Sequence, residues 1–334
     1  MNLDELKNKI FNKVDLSFNE TTFLFDLIMN GNIEEIDIAL ILISLKMKEE
    51  SIEEIHGAAK IMRKESLKIS SPINAIDTCG TGGDMSGTLN ISTSAALIAA
   101  SAGATVAKHG NRSISSKSGS ADMLEKLNIE ISSEKEKLEN SLKKNNFCFL
   151  FAQYHHTAMK HVINVRKKLG TSTIFNLLGP LTNPASTKKQ LLGVFEKRLV
   201  RIHCEVLKKL GSDHAMVVHG SDGLDEISLS APTYISELKN NKITDYLFDP
   251  KEYGYKYIQN NEILGKDSDY NAKAFLELLE APNNSFQKIV EINAGAALYL
   301  SGKASNLKEG FEMAKEAIIS KKSKNYYYGL IKKK

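Results

Sequence analysis

From residue 73 onward, short apolar runs alternate with glycine-rich loops and helical patterns, and this alternation restricts the chain to few folds. Candidate strands lie at 73–76, leading into Asp77 and the loop CGTGGD, and at 105–107, 148–152 and 215–218. Candidate helices lie at 95–102, 121–127, 285–300 and 307–320. Strands alternating with helices predict an α/β fold with a mostly parallel central sheet flanked by helices. Ligands of such sheets bind beyond the carboxyl ends of the strands, where these loops fall.

The chain before this alternation has the pattern of a small all-helical domain. Ser17, Asn32 and Ser51 each precede a glutamate by three residues, which is the spacing of a helix capping box. Apolar residues at helical spacing follow each of them. We therefore expect a helical domain at residues 1–71 and a larger α/β domain at 72–334. The C-terminal YYYGLIKKK is expected to be a solvated end.

Composition narrows the function classes. The 44 Lys+Arg and 40 Asp+Glu leave a net charge of +4, which does not demand a nucleic acid and is compatible with a small anionic substrate. Cys79, Cys148 and Cys204 are odd in number and far apart, so their spacing predicts neither a disulfide framework nor a zinc site and favours the reducing cytoplasm. No signal-peptide core or bilayer-length apolar stretch is present, so no membrane association is expected.

Two segments favour phosphate binding. In the run from Asp77 to Asp84, three glycines within four residues let backbone N–H groups approach an anion. Ser92 and Thr93 then stand at a predicted helix N-terminus, where N–H groups and the helix dipole favour phosphate. A tight turn followed by an ordinary N-cap is the alternative. Together, within seventeen residues, the two features favour a phosphate cradle.

The segment from Lys108 to Ser120 is basic and polar. Its thirteen residues hold three cations, five serines and no acid, which suits a pyrophosphate or a sugar phosphate. A flexible basic linker is the alternative. Further along, one histidine and Arg166 beside apolar residues would suit an aromatic carboxylate, although helix-surface positions for both explain the periodicity better. No transition-metal site is expected at the neighbouring histidines.

A fourth segment is acidic. Asp222, Asp225 and Glu226 follow a predicted strand, and carboxylate oxygens of this kind hold Mg²⁺ together with water and phosphate. An acidic turn is the alternative. A cationic phosphate region and an acidic pair at one sheet end suit a Mg²⁺-assisted reaction of a phosphorylated or pyrophosphorylated substrate.

These segments closely resemble the anthranilate phosphoribosyltransferase family, which has the nucleoside phosphorylase and phosphoribosyltransferase fold. The matching motifs are GTGGD with NIST, KHGNRSISSKSGSAD, HxAMKHVxxVRKxLG, TIFNLLGPLTNPA, DGLDEIS and NAGAALYLSGKA. The resemblance implies transfer of phosphoribose from phosphoribosyl pyrophosphate (PRPP) to the amine of anthranilate in tryptophan biosynthesis. It also implies a homodimer that forms through the helical domain. A helical segment around 157–182 of the same chain would lie against residues 1–71 and complete that domain.

The resemblance also implies site residues. The implied PRPP contacts are Gly80, Gly83, Asp84, Thr88, Asn90, Ile91, Ser92, Thr93, Lys108, His109, Gly110, Asn111, Arg112, Ser113, Ile114, Ser115, Ser116 and Ser120. The implied anthranilate contacts are Gly80, His109, Asn111, His156, Arg166 and Pro180, with Arg166 facing the carboxylate. Ser92, Asp225 and Glu226 would hold Mg²⁺. Lys108 would stabilise the departing charge, and neither a covalent intermediate nor a side-chain nucleophile is expected.

The sequence departs from the family pattern at Met85, Thr157 and Ser172, none of which is an implied contact. Two other functions are alternatives. A pyrimidine nucleoside phosphorylase shares the fold, but the acidic pair argues against it because phosphorolysis needs no Mg²⁺ on a pyrophosphate. A non-catalytic nucleic-acid-binding relative would carry a broad basic surface, whereas the net charge here is only +4.

Overall fold

The computed structural model describes residues 2–112, 118–280 and 283–331. The strands are β1 (Ile76–Gly80), β2 (Val106–Gly110), β3 (Phe147–Phe151), β4 (Lys189–Gly193), β5 (His214–Gly220), β6 (Thr233–Lys239) and β7 (Lys242–Phe248). The helices of the N-terminal region are α1 (Leu3–Phe11), α2 (Phe18–Met29), α3 (Glu35–Lys48) and α4 (Ile52–Glu65). Those that follow are α5 (Ile91–Ser101), α6 (Ser120–Lys126), α7 (Lys135–Asn145), α8 (Ala152–His155), α9 (Ile163–Leu169), α10 (Ile174–Leu178), α11 (Arg198–Lys209), α12 (Ser268–Glu280), α13 (Ser285–Ser301), α14 (Leu307–Ile319) and α15 (Lys322–Leu330). Short 3₁₀ helices cover Thr157–His161, Gly179–Leu181, Pro250–Tyr253 and Asn260–Ile263.

The strands form one sheet in the order β3-β2-β1-β4-β5-β6-β7. Strands β1 to β5 pair in parallel, and β6 and β7 extend the sheet as an antiparallel hairpin. Parallel strands need buried faces, and helices cover this sheet on both sides. The predicted fold class, a small helical domain with a larger α/β domain around a mostly parallel sheet, is confirmed.

Local signals explain two of the N-terminal helices. Ser17 caps α2 and Ser51 caps α4 as full capping boxes, with Glu20 and Glu54 reaching back, as the sequence predicts. The predicted cap at Asn32 is wrong. Helix α3 follows the N-cap residue Glu34, whose backbone is extended and whose side chain makes no capping bond, and Ile33 before it is buried.

The helical bundle shares its core with other parts of the chain. Leu24, Ile41 and Ile55 belong to the same cluster of buried side chains as Val165 and Ile174 from α9 and α10. The cluster continues through α11 to one face of β4 and β5. The bundle therefore packs against the sheet through a continuous apolar contact.

Helix α5 places its N-terminus at the carboxyl edge of the sheet. All of its residues except Ser92 are buried, and it packs against α13 and β1. A helix that is apolar on every side belongs in a core. Its first turn consequently stands in a fixed position beside the ends of β1 and β2.

Two further expectations are corrected by the structure. The first strand was placed at 73–76, but the parallel register with β4 shifts it to Ile76–Gly80, and Ile73 is 81% exposed. Part of the predicted CGTGGD loop is therefore strand. The C-terminal tail is not simply solvated, since α15 buries Tyr327, whose hydroxyl donates to the Leu127 carbonyl. Among the described residues, no helix is long and apolar enough to cross a membrane.

Candidate active site

The ends of β1 and β5 meet at one edge of the sheet, as parallel pairing requires. The backbone N–H of Gly82, in the loop after β1, donates to Asp225 Oδ2 in the loop after β5 at 3.0 Å. In return, the backbone N–H of Asp225 approaches Asp84 Oδ2 at 3.4 Å. The glycine-rich segment and the acidic segment identified in the sequence therefore form one site.

The contact between the loop that follows β1 and the loop that follows β5 depends on glycine at two strand ends. A Cβ added to Gly80 would lie 2.6 Å from Asp225 Oδ2. A Cβ added to Gly193, at the end of β4, would lie 1.6 Å from the Asp225 carbonyl oxygen. Only glycine lets the acidic loop descend this far onto the sheet edge.

The carboxylates at the edge repel one another. Burial and the charge of Asp84 raise the pKa of Asp225 to about 7. Burial and the charge of Asp225 raise the pKa of Glu226 well above its ordinary value, against the opposing effect of Lys108. Because burial and neighbouring charges disfavour the ionised form of these carboxyls, a bound cation would stabilise that form.

The buried side chain of Lys108, on β2, places a positive charge at the same edge of the sheet. Its side chain leaves β2 and is only 1% exposed. The ammonium donates to the Thr78 carbonyl at 2.5 Å and to Ser92 Oγ at 3.4 Å, which places it beside the first turn of α5. A buried ammonium tied to these groups gives the site a fixed positive charge.

Polar side chains tie the start of α5 to the segment after β2. Asn90 exchanges hydrogen bonds with Ser118 and accepts one from Asn271. Thr93 Oγ1 donates to Ser120 Oγ at 3.0 Å. Thr88 stands on a bridge to Leu264 just before this turn. The structure thus brings together the two predicted phosphate segments.

Two histidines and a carboxylate lie near the same edge, on the face of the sheet opposite to Lys108. His109 Nε2 lies 3.3 Å from His156 Nε2, and both side chains are buried. Burial lowers the pKa of His156 to about 4, and burial with the neighbouring histidines holds the pKa of His109 well below its ordinary range. Both rings are therefore neutral at pH 7. Asp77 Oδ1 accepts a hydrogen bond from the backbone N–H of His109 at 3.0 Å. Burial raises the pKa of Asp77 to about 6.

Arg166 lies on α9 with no ion-pair partner among the described residues. Its Nη2 donates to Asn176 Oδ1 at 3.4 Å, and its guanidinium stands 5.5 Å from the centre of the Phe175 ring. Pro180 is buried, and its carbonyl accepts from the Gln190 amide. An arginine held over an aromatic ring, with no carboxylate of its own, is suited to bind an added carboxylate.

The segment from Lys108 to Ser120 has acidic partners that its own composition does not show. The sequence places Arg112 in an acid-free segment, but its guanidinium pairs with Asp122 and Glu125 of α6. Asn111 Oδ1 accepts from the Arg112 N–H, and Gly110 ends β2. The predicted contacts Ser113, Ile114, Ser115 and Ser116 lie outside the described residues.

Sequence reasoning missed two buried side chains at this edge. Asn293 is fully buried on α13, and its amide both accepts from the Ile227 N–H and donates to the Ile227 carbonyl. It thereby fixes the loop immediately after Glu226. Asp77, the second, begins the glycine-rich run but is not among the predicted contacts. The signal for Asn293 was an amide within the otherwise apolar NAGAALYL stretch.

The family models match both parts of the chain. The model described as the helical bundle domain of a glycosyl transferase family matches residues 5–66, and that described as the a/b domain of a glycosyl transferase family matches residues 73–323. With the sheet topology and the site above, these matches define a glycosyltransferase built from a helical bundle and an α/β domain.

Individual relatives narrow this class. An anthranilate phosphoribosyltransferase from Thermoanaerobacter sp. (strain X514) is 48% identical over 93% of this chain and 93% of its own length. The crystal structure of the enzyme of that name from Thermus thermophilus is similar with a TM-score of 0.92 and 35% identity, covering 97% of this chain and 98% of that one. The Saccharomyces cerevisiae enzyme in complex with PRPP and Mg has a TM-score of 0.88 and 27% identity, covering 98% and 96%. The chain belongs to the anthranilate phosphoribosyltransferase family.

Proposed function

We propose that the protein transfers the phosphoribosyl group of PRPP to the amine of anthranilate. The products are N-(5-phosphoribosyl)anthranilate and pyrophosphate, in tryptophan biosynthesis. The observation that carries the proposal is the meeting of a buried lysine, a helix N-terminus and a carboxylate pair at one sheet edge. Family membership supports this reaction.

PRPP would bind across the ends of β1 and β2. Backbone N–H groups of the glycine-rich loop and the first turn of α5 suit its phosphates, and Lys108 supplies positive charge. The proposed contacts among the described residues are Gly80, Gly83, Asp84, Thr88, Asn90, Ile91, Ser92, Thr93, Lys108, His109, Gly110, Asn111, Arg112 and Ser120. Ser113 to Ser116 remain proposed contacts on the basis of the family motif alone.

The residues proposed to hold Mg²⁺ are Ser92, Asp225 and Glu226. Burial raises the pKa of both carboxyls, with a further contribution from Asp84 at Asp225 and from Asp225 at Glu226, and a divalent cation would stabilise their charged forms. The Ser92 hydroxyl and the Glu226 side chain line the same small cleft. When bound, Mg²⁺ supplies electrostatic stabilisation of the pyrophosphate charge.

Anthranilate would lie between the two histidines and α9. The proposed contacts are Gly80, His109, Asn111, His156, Arg166 and Pro180. Because His109 and His156 are neutral at pH 7, they offer ring faces and hydrogen bonds without a charge. Arg166 then provides the positive charge for the carboxylate.

The proposed chemistry relies on positioning and charge. As pyrophosphate leaves, positive charge develops on the anomeric carbon and negative charge on the leaving group. Lys108 and the N–H groups of α5 stabilise the leaving charge. The side chains around anthranilate hold its weakly nucleophilic amine against that carbon. No side chain acts as a covalent nucleophile.

Three features of the whole protein belong to the same proposal. The chain would divide into a helical domain at 1–71, joined in space by the segment around 157–182, and an α/β domain at 72–334. It would form a homodimer through the helical domain, where Ile36 and Met47 of α3 are exposed. Free thiols at Cys79, Cys148 and Cys204 favour the cytoplasm.

The test follows the loss of anthranilate fluorescence on mixing the protein with PRPP, Mg²⁺ and anthranilate. Lys108→Met keeps the length of the side chain and removes its charge, and we expect kcat to fall at least about 100-fold. Lys189→Met is the matched control and should retain activity, because Lys189 begins β4 at the opposite edge of the sheet and donates to the Ser301 carbonyl. No fluorescence loss with folded wild-type protein would overturn the function. Equal kcat values for the two variants would overturn the role of Lys108.

A further inference from the structure

Asp77, Cys79 and His109 form a compact group of possible metal ligands, none of which is a proposed Mg²⁺ ligand. Asp77 and Cys79 lie two residues apart on β1 and therefore on the same face of the sheet. The β1–β2 register pairs Ile76 with Val106, which puts Cys79 beside His109 three residues further on. One ligating atom from each side chain lies within 4.8 Å of the other two.

Two of these side chains carry buried atoms with unmet hydrogen-bonding capacity. Asp77 is 0% exposed and His109 is 3% exposed. Asp77 Oδ2 and His109 Nδ1 make no hydrogen bond of normal geometry to any described residue, although the Gly179 backbone lies close enough to His109 to favour its charged form. The amide of Asn183 lies close enough to favour the charged form of Asp77 but does not complete such a bond. Buried groups left in this state cost free energy, so their clustering next to a thiol indicates a place for a bound species.

The donor set specifies the chemistry of that species. A thiolate, an imidazole and a carboxylate are ligands that Zn²⁺ accepts, whereas Mg²⁺ prefers oxygen alone. The thiol of Cys79 has only a weak contact, to the Gly80 carbonyl at 3.6 Å. Cys79 is partly exposed as a residue. Burial of its sulfur and the nearby Asp77 carboxylate raise the pKa of its thiol, so an ion must displace the thiol proton in order to bind.

We propose that Asp77, Cys79 and His109 bind a thiophilic divalent cation such as Zn²⁺. These ligands are distinct from Ser92, Asp225 and Glu226, although Cys79 lines the same small cleft as Ser92 and Glu226. On binding, the Cys79 thiol releases its proton to solvent and its sulfur bonds the metal, with no change of oxidation state. The charges of Asp77 and the thiolate balance that of the ion. Occupancy inhibits the enzyme because His109 is also a proposed anthranilate contact, and this consequence rests on the proposed function.

Binding is tested with Co²⁺ alone, added to the full-length protein without substrates. We expect a near-ultraviolet thiolate-to-cobalt charge-transfer band that saturates at one ion per chain and disappears when Zn²⁺ is added. Cys79→Ala should lack the band. Cys204→Ala, a change at a fully buried thiol on α11, should keep it. Near-ultraviolet circular dichroism establishes that each variant is folded. Absence of the band in the wild type, or its persistence in Cys79→Ala, would overturn the site.

Inhibition is a separate measurement. With Mg²⁺ and PRPP present, Zn²⁺ should inhibit Cys79→Ala at least about tenfold more weakly than the wild type and Cys204→Ala. The inhibition should raise the KM for anthranilate. A cobalt band without inhibition would support the site and overturn its effect on turnover. A cobalt band in a protein that consumes no anthranilate would support the site and overturn the proposed function.

Discussion

At the scale of single residues, the site depends on close backbone approach as much as on charged groups. The carbonyl oxygen of Asp225 occupies the space that a side chain at Gly193 would need. Neither rotation of a side chain nor a small shift of a loop tip can relieve a contact between a strand and a backbone carbonyl. The position of the proposed metal-binding carboxylates is therefore tied to glycine in β4.

Replacing Gly193 by alanine tests this dependence. The added Cβ would fall 1.6 Å from the Asp225 carbonyl oxygen, so the acidic loop must move. We expect kcat to fall at least about tenfold and the free energy of unfolding to fall by about 1–3 kcal/mol. The fluorescence assay and urea denaturation measure the two effects.

Gly329→Ala is the matched control for this change. Gly329 lies on α15, and an added Cβ there meets no atom within 4 Å. Its activity and stability should remain close to those of the wild type. If Gly193→Ala behaves like Gly329→Ala, the contact with Asp225 does not constrain the site.

The sequence indicated charged residues better than it indicated their partners. Lys108 and Glu226 were predictable because their types and positions follow predicted strands. The pairing of Arg112 with Asp122 and Glu125 was not, since it depends on where α6 turns back toward β2. The burial of Asp77 was not predicted because the strand extends further than its apolar residues do. Burial of a charge next to a lysine is a tertiary property that local pattern does not contain.

At the scale of elements, buried segments were the easiest to predict. Helix α5 and strand β3 are apolar on every side, so their continuous apolar runs identify them. The hairpin of β6 and β7 was not predicted. Strand β7 is an edge strand whose residues are mostly exposed, so it contains charged residues such as Lys242 and Asp245 and lacks an apolar run.

The capping box of α2 gives a pH prediction. The Lys9 ammonium and the Ser17 N–H lower the pKa of Glu20 from 4.5 to about 2. Since the folded pKa lies below the unfolded one, the stabilisation is present above about pH 4.5 and is lost as pH falls toward 2. Glu20→Gln keeps an oxygen for the cap and removes the charge. We expect it to cost about 0.5–1 kcal/mol at pH 7, allowing for solvent screening.

Urea denaturation between pH 7 and pH 3 measures this effect. The difference between the wild type and Glu20→Gln should narrow as pH falls below about 4.5. Glu5→Gln, at an exposed acid in the first turn of α1, controls for a general change of charge. A difference that stays constant with pH, or that Glu5→Gln reproduces, would contradict the assigned pKa.

At the scale of the whole molecule, apolar side chains on one surface of the bundle remain uncovered. Ile36, Leu40 and Met47 lie along one side of α3 and are 69%, 46% and 72% exposed. Phe11 and Val14, at the end of α1, are also about half exposed. Helix α1 packs against α3 in the same bundle. Apolar surface gathered in this way marks an interface, and the proposed homodimer gives it an occupant.

The double variant Ile36→Lys with Leu40→Lys tests this surface. In a symmetric dimer each substitution appears on both subunits, so four lysines would enter one interface and repel one another. We expect the variant to elute as a monomer of about half the wild-type mass, as measured by light scattering during size-exclusion chromatography. The fold should persist, because both side chains already face solvent in the single chain. Ile319→Lys changes an equally exposed residue on α14 and should leave the dimer intact. A monomeric wild type, or a double variant that stays dimeric, would place the contact elsewhere or exclude it.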